Sequence, residues 1–174
     1  NGHSYAEKTT NNTNFALLVS EKFTEPFKEP IQYGQHIARL ANMLGGGILV
    51  QRFGDLLDGR RSTPERIKSS IIKPTLTCAT PGDLSLVIPY RQMTSIIEML
   101  QALDKVCPGT ASRYTLLYGI EVKFYSARVK LTDKLETEGV KNLFAIGDGA
   151  GVTRGLIQAS ASGVHAARTI CERG

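Results

Sequence analysis

The stretch NLFAIGDGAGVTRGLIQASASGVHAAR, residues 142–168, decides how this chain is read. An apolar run from Leu143 to Ile146 reaches Gly147, Asp148 stands between two glycines, and a segment of small residues follows. A run without polar interruption suits a strand covered on both faces, as in a parallel sheet. Ala159, Gly163, Ala166 and Ala167 give the next segment a flat helical face for close backbone packing. The pattern predicts a strand, a tight turn and a helix, with one carboxylate at the strand's tip.

Gly149, Gly151 and Gly155 spell GxGxxxG, looser than the dinucleotide fingerprint. A full mononucleotide fold needs a βαβ unit of about 30 residues with an acid about 20 residues further on. A single helix length follows Gly155, so these glycines are not expected to open such a unit. An aspartate facing a pyrophosphate also sets like charges together. Asp148 is better suited to accept charge-assisted hydrogen bonds from hydroxyls, as on a sugar or polyol. Flanking glycines let a ligand approach the backbone, and a helix start offers unpaired N–H groups to an electron-rich atom. The structural alternative is a Gly-Asp-Gly turn in which the aspartate is a local cap.

Composition sets the frame. The 174 residues, 41% apolar with 21 basic and 16 acidic side chains, describe a globular chain rather than a disordered one. The net charge of +5 admits acidic partners without demanding them. No window reaches the roughly 18 apolar residues that cross a bilayer, so no membrane partner is expected. Cys78, Cys107 and Cys171 are odd in number with no CxxC pair, which argues against a disulfide scaffold or zinc knuckle and fits the cytoplasm. The chain opens Asn1-Gly2-His3 without methionine, and is expected to be part of a longer protein.

Upstream of the turn the texture is mixed α+β. Residues 1–12 are polar and turn-rich, with little structure expected. FALLVSEKF (15–23) predicts a buried strand. In 32–44, Tyr33, Ile37, Leu40, Ala41 and Leu44 recur at helical spacing until the glycines at 45–47. ILVQRFGDLLDGRR (48–61) reads as strand or connector, and Thr63-Pro64-Glu65 as a helix start. Extended pieces are expected in 73–83, and a helix over 91–106 on Met93, Ile96, Ile97, Leu100 and Leu103, closed by Pro108-Gly109. Residues 115–131 suggest one long or two short strands.

At these residues the chain resembles the FAD-dependent oxidoreductases built on two dinucleotide folds. LETEGVKNLFAIGD (135–148) is similar to their lead-in of acid and threonine, apolar strand and Gly-Asp. GRRST, PTLTCATPGDLS and LLYGIEVKFYS look like the C-terminal part of a little-characterised group of bacterial FAD-dependent dehydrogenases. The resemblance implies that Gly147, Asp148 and Gly149 contact the ribityl and phosphate region of FAD. It implies that Gly155, Leu156 and Ile157 aim backbone N–H groups at the pyrimidine side of the isoalloxazine. The implied fold is an α+β substrate-side domain over 1–136, followed over 137–174 by the closing strand and helix of a Rossmann-like FAD-binding domain. The N-terminal fingerprint that grips the ADP half of FAD is absent from this sequence, so an upstream segment of the same protein must supply it. The implied activity is FAD-dependent oxidation or reduction of a small molecule, compatible with NAD(P)H as electron donor and with an inactive isolated fragment. A non-catalytic ligand- or partner-binding domain is the competing class.

Other candidates are weaker. Arg60 and Arg61, with Arg52 before them and Ser62 and Thr63 after, could hold a substrate carboxylate or phosphate, or could form a solvated basic loop. His36 and His165 read as surface or packing residues, and the histidines lack metal-ligand spacing. Cys78 is expected to be a buried thiol. Tyr118, Phe124 and Tyr125 among Lys123, Arg128 and Lys130 fit a half-buried strand better than a nucleic-acid surface. No catalytic acid or base is identified.

Overall fold

The computed structural model describes residues 6–7 and 11–173. They fall into two compact units, Asn1–Lys123 and Phe124–Gly174.

The first unit is α+β, as expected. Helix α1 (Pro30–Gly45) begins with a proline, whose missing N–H costs nothing in a first turn. It ends where Gly46 adopts φ 68° and donates its N–H to the Asn42 carbonyl, the left-handed stop the triple glycine predicted. Strand β1 (Leu49–Arg52) runs directly into α2 (Phe53–Leu57). Helix α3 (Pro64–Lys68) is capped by Thr63, whose hydroxyl accepts the Arg66 N–H. Strand β2 (Thr80–Pro81), a 3-10 turn (Leu84–Leu86), helix α4 (Tyr90–Asp104) and strand β3 (Leu116–Gly119) complete the unit. At the end of α4, Asp104 Oδ1 accepts the N–H groups of Gly109 and Ala111, tying down the loop opened by Pro108.

The sheet is mixed, in the order β2-β1-β3. β1 pairs parallel to β2 (Leu49↔Thr80) and antiparallel to β3 (Val50↔Tyr118, Arg52↔Leu116). Its neighbours form one cluster of Ala41, Leu49, Phe53, Leu56, Leu84, Val87, Met93 and Leu100. Ile37 and Leu40 of α1 and Ile96 and Ile97 of α4 pack on that cluster, confirming both apolar faces read from spacing. Tyr33 and Leu44, at the ends of the α1 stripe, are exposed.

Two expected strands are corrected. FALLVSEKF (15–23) carries no ladder, and Phe15 and Leu18 are more than half exposed. Of 115–131 only Leu116–Gly119 pairs along its length, with a single bridge at Leu131. Apolar β-branched composition favours an extended backbone but supplies no pairing partner. The reading of 1–12 lies outside the described residues except at 6–7 and 11–12.

In the second unit, α5 (Leu156–Cys171) matches the small-residue segment. Its small-residue face is used in part: Ala166 is buried, Ala159 and Gly163 are half-buried, and Ala167 is exposed. The run before Gly147 is corrected. Among the described residues its only bridge is Glu136↔Phe144, and Leu143 and Ile146 are about half exposed. The unbroken apolar pattern expects neighbours on both sides, and among the described residues this unit has no sheet to supply them. Among the described residues no helix is long and apolar enough to cross a membrane.

Candidate functional site

The turn at 147–155 is held from three directions. Leading into it, Thr137 N–H bonds the Leu143 carbonyl at 2.8 Å and Ala145 N–H the Leu135 carbonyl at 3.1 Å. The bend between them passes through Asn142 at φ 62°, a left-handed conformation asparagine tolerates. Glu136 fastens this bend, with Oε1 accepting the Asn142 N–H at 2.6 Å and Oε2 accepting the Arg173 guanidinium. That ion pair and the Asn142 N–H together lower the Glu136 carboxyl to about 2. Arg173 also lies over the Phe144 ring, 5.2 Å from its centre.

At the tip, Gly147 takes φ 72° and donates its N–H to Ser162 Oγ at 3.0 Å. Ser162 is buried on α5, and its hydroxyl donates to the Ala159 carbonyl at 2.7 Å. Residues Asp148–Ala150 form one 3-10 turn, closed by Gly151 at φ 69°. A Cβ on Gly151 would stand 2.8 Å from Arg128 Cα and 3.0 Å from the Ala127 carbonyl oxygen. Only glycine allows that crossing, which Val129 N–H pins to the Ala150 carbonyl at 3.1 Å.

Asp148 is exposed, and its Oδ1 accepts the Thr153 hydroxyl at 2.5 Å. No partner for Oδ2 is present among the described residues. Helix α5 opens at Gly155 without a side-chain cap, and Leu156 and Ile157 on its first turn are 89% and 84% exposed. First-turn N–H groups have no intrahelical acceptor, so this end carries free donors and the positive end of the helix dipole. Gly147, Asp148 and Gly149 thus lie in the turn, and Gly155, Leu156 and Ile157 follow a few residues on at the start of α5. Thr153 and Ser162, which orient the aspartate and the turn, were not singled out by sequence; their spacing from Asp148 and Gly147 carries meaning only once the turn is folded.

The arginines belong to the first unit and are engaged differently. Asp55 is buried at 1% exposure, although sequence gave no reason to notice it. Its Oδ1 accepts Arg60 Nε at 2.9 Å and Arg66 Nη1 at 3.3 Å, and its Oδ2 accepts Ser62 Oγ at 2.8 Å. Arg60 also pairs with Asp58 at 3.1 Å, and Arg113 binds the same Asp58 carboxylate. Those guanidinium groups hold the Asp58 carboxyl below its ordinary value, the Arg113 hydrogen bond being the largest cause. Ser62 in turn accepts the Arg52 N–H at 2.9 Å. Arg60 thus holds the loop together, while Arg61 is exposed.

Other sequence candidates resolve plainly. His36 is exposed on α1, and His165, also exposed, has its Nε2 within hydrogen-bond distance of the Asp133 carbonyl at 3.0 Å. Cys78 is exposed rather than buried, because the 73–83 segment lies on the surface; Cys107 and Cys171 are also exposed and free. Tyr118, Phe124 and Tyr125 are exposed, Phe124 and Tyr125 lie outside any strand, and Arg154 stacks on Tyr125, 3.9 Å from the ring centre. No group of residues among those described could hold a metal ion.

Comparison with known families gives the class: residues 1–124 match the family described as FAD-dependent protein, C-terminal domain-like, and the chain belongs to that family. The match ends where the first compact unit ends, so it covers the arginine loop and stops short of the Gly-Asp turn. The chain is also 32% identical, over 184 aligned residues, to an uncharacterised protein of Clostridium beijerinckii (strain ATCC 51743 / NCIMB 8052). That alignment takes in 99% of this chain and 33% of the relative, so the chain spans about a third of the relative's length.

Proposed function

We propose that this chain is the C-terminal part of an FAD-dependent oxidoreductase whose remaining sequence grips the ADP half of the cofactor. The observation that carries the reading is an exposed Asp148 with one oxygen free, beside an uncapped α5, in a member of an FAD-dependent family. The residues suit the cofactor. Gly147 and Gly149 leave backbone open to a ligand, Asp148 Oδ2 accepts a ribityl hydroxyl, and the start of α5 at Gly155, Leu156 and Ile157 faces an electron-rich ring edge.

Bound flavin supplies the electron transfer, with NAD(P)H as the proposed donor and a small molecule as substrate. The protein's part is placement. Thr153 fixes the Asp148 carboxylate by donating to Oδ1, and the Gly147–Ser162 bond fixes the turn against α5. The exposed Leu156 and Ile157 exclude water from the ring once it is seated. Residues 1–136 make the substrate-side domain, with the Arg60–Arg61 loop as its anion-facing element, and 137–174 close the Rossmann-like flavin domain, where Leu143 and Ile146 gain the sheet neighbours they lack here.

The test uses the full-length protein that contains this chain. Purified wild type should show oxidised-flavin absorbance, and Asp148→Ala should weaken FAD binding roughly 10- to 150-fold, the worth of a hydrogen bond to a charged group. A folded but colourless wild type, or Asp148→Ala with unchanged FAD affinity, would remove this reading in favour of a non-catalytic domain.

A further inference from the structure

The stretch FALLVSEKF, residues 15–23, carries no ladder among the described residues, yet its burial keeps the period of two that a strand has. Its partly buried residues, Leu17, Val19 and Phe23, are all odd-numbered, while Ala16, Leu18, Ser20 and Lys22 between them are exposed. Leu17 packs against the core cluster that holds Ala41 and Leu49. The Phe23 ring meets Tyr33 with centroids 5.2 Å apart and Phe27 at 6.5 Å. Side chains on one side therefore anchor the stretch to the first unit.

The main chain is not anchored. From Phe15 to Phe23 no backbone N–H or carbonyl is hydrogen-bonded to another described residue. Backbone groups call for a partner at every residue, and an apolar run with an open edge is a template for another strand. The side turned away from the core is apolar too. Leu18 is 58% exposed, and Phe15, Phe27 and Ile31 also exceed half exposure. Pro26 has no N–H to give, which bounds the run that could pair.

We propose that residues 15–23 are one half of a strand pair whose other half is a strand from the part of the same polypeptide outside these 174 residues. The relative leaves ample chain for it, since the alignment takes in 99% of this chain and 33% of that protein. A strand tethered in the same polypeptide presents itself at an effective concentration of about millimolar, ahead of a second, untethered copy. Main-chain hydrogen bonds supply the pairing, and apolar residues on the added strand cover Leu18. The pairing joins the first unit to the rest of the protein. It needs no cofactor, and shares with the flavoenzyme reading only that this chain is part of a longer one.

The test is amide hydrogen exchange by mass spectrometry on the full-length protein, with photo-cross-linking from Leu18→p-benzoylphenylalanine at that exposed position. The amides of 16–23 should exchange at least about a hundredfold more slowly than in an unstructured chain. The cross-link should run within one polypeptide, to a peptide outside residues 1–174. Unstructured exchange rates at 16–23, no cross-link, or a cross-link inside 1–174 would overturn the proposal. So would a cross-linked dimer, which assigns the edge to a second copy. Neither readout involves flavin, so a colourless protein with the expected protection and cross-link ends the flavin reading and leaves this pairing standing.

Discussion

Replacing Asp55 should be the most damaging single change in the 52–66 loop. Its carboxylate is 1% exposed and accepts three hydrogen bonds at 2.8–3.3 Å from Ser62, Arg60 and Arg66. Removing one partner of a buried ion pair typically costs about 3–5 kcal/mol, because the other charge stays behind without compensation. Arg60 and Arg66 are 49% and 37% exposed and can rehydrate in part, so the expected loss for Asp55→Ala falls to roughly 2–4 kcal/mol. For a unit of this size that lowers the melting midpoint by roughly 10 °C. Asp55→Asn keeps the shape but sets an amide donor near Ser62 Oγ, so it should lie between wild type and Asp55→Ala. The comparison is Asp58→Ala in the same loop, where the carboxylate is a third exposed and its partner Arg113 more than half exposed, and the midpoint should move little. Thermal unfolding followed by circular dichroism, with urea titration for the free energies, reads all three. Equal midpoints for Asp55→Ala and Asp58→Ala would refute the claim that burial, rather than the mere presence of an ion pair, decides the loss.

Gly151→Ala combines a left-handed φ with a Cβ forced to 2.8 Å from Arg128 Cα, and should destabilise the second unit by about 1–3 kcal/mol in amide hydrogen exchange of residues 127–151. Glu136 titrates near 2 when folded, below its ordinary value, so its contribution is complete above about pH 4.3 and is lost as pH falls through 2. NMR shifts of Asn142 and Arg173 should follow that acid transition, and Glu136→Gln should abolish it. Thr153→Val removes the hydroxyl that orients Asp148, and in the full-length protein should weaken FAD binding less than Asp148→Ala while leaving the fold unchanged by circular dichroism. Equal effects of the two would assign the binding to the turn's shape rather than its charge.

Much of the fold was legible in one dimension. Helix α1 with its Gly46 stop, α3 with its Thr63 cap, the apolar stripe of α4, and α5 all follow from periodicity and capping, because i to i+4 contacts and terminal caps are made by residues close in the chain. The Gly-Asp turn is legible for the same reason: glycines at 147 and 151 are where the backbone needs positive φ. Tertiary structure decided what depends on distant partners. Sequence marked 15–23 and 142–147 as buried strands, but a strand is stabilised only by a neighbouring strand, which the described residues provide to neither over its length. Asp55 looked like any surface aspartate until folding brought Arg60, Ser62 and Arg66 around it in a dry place, where a charge must be paired to be tolerated.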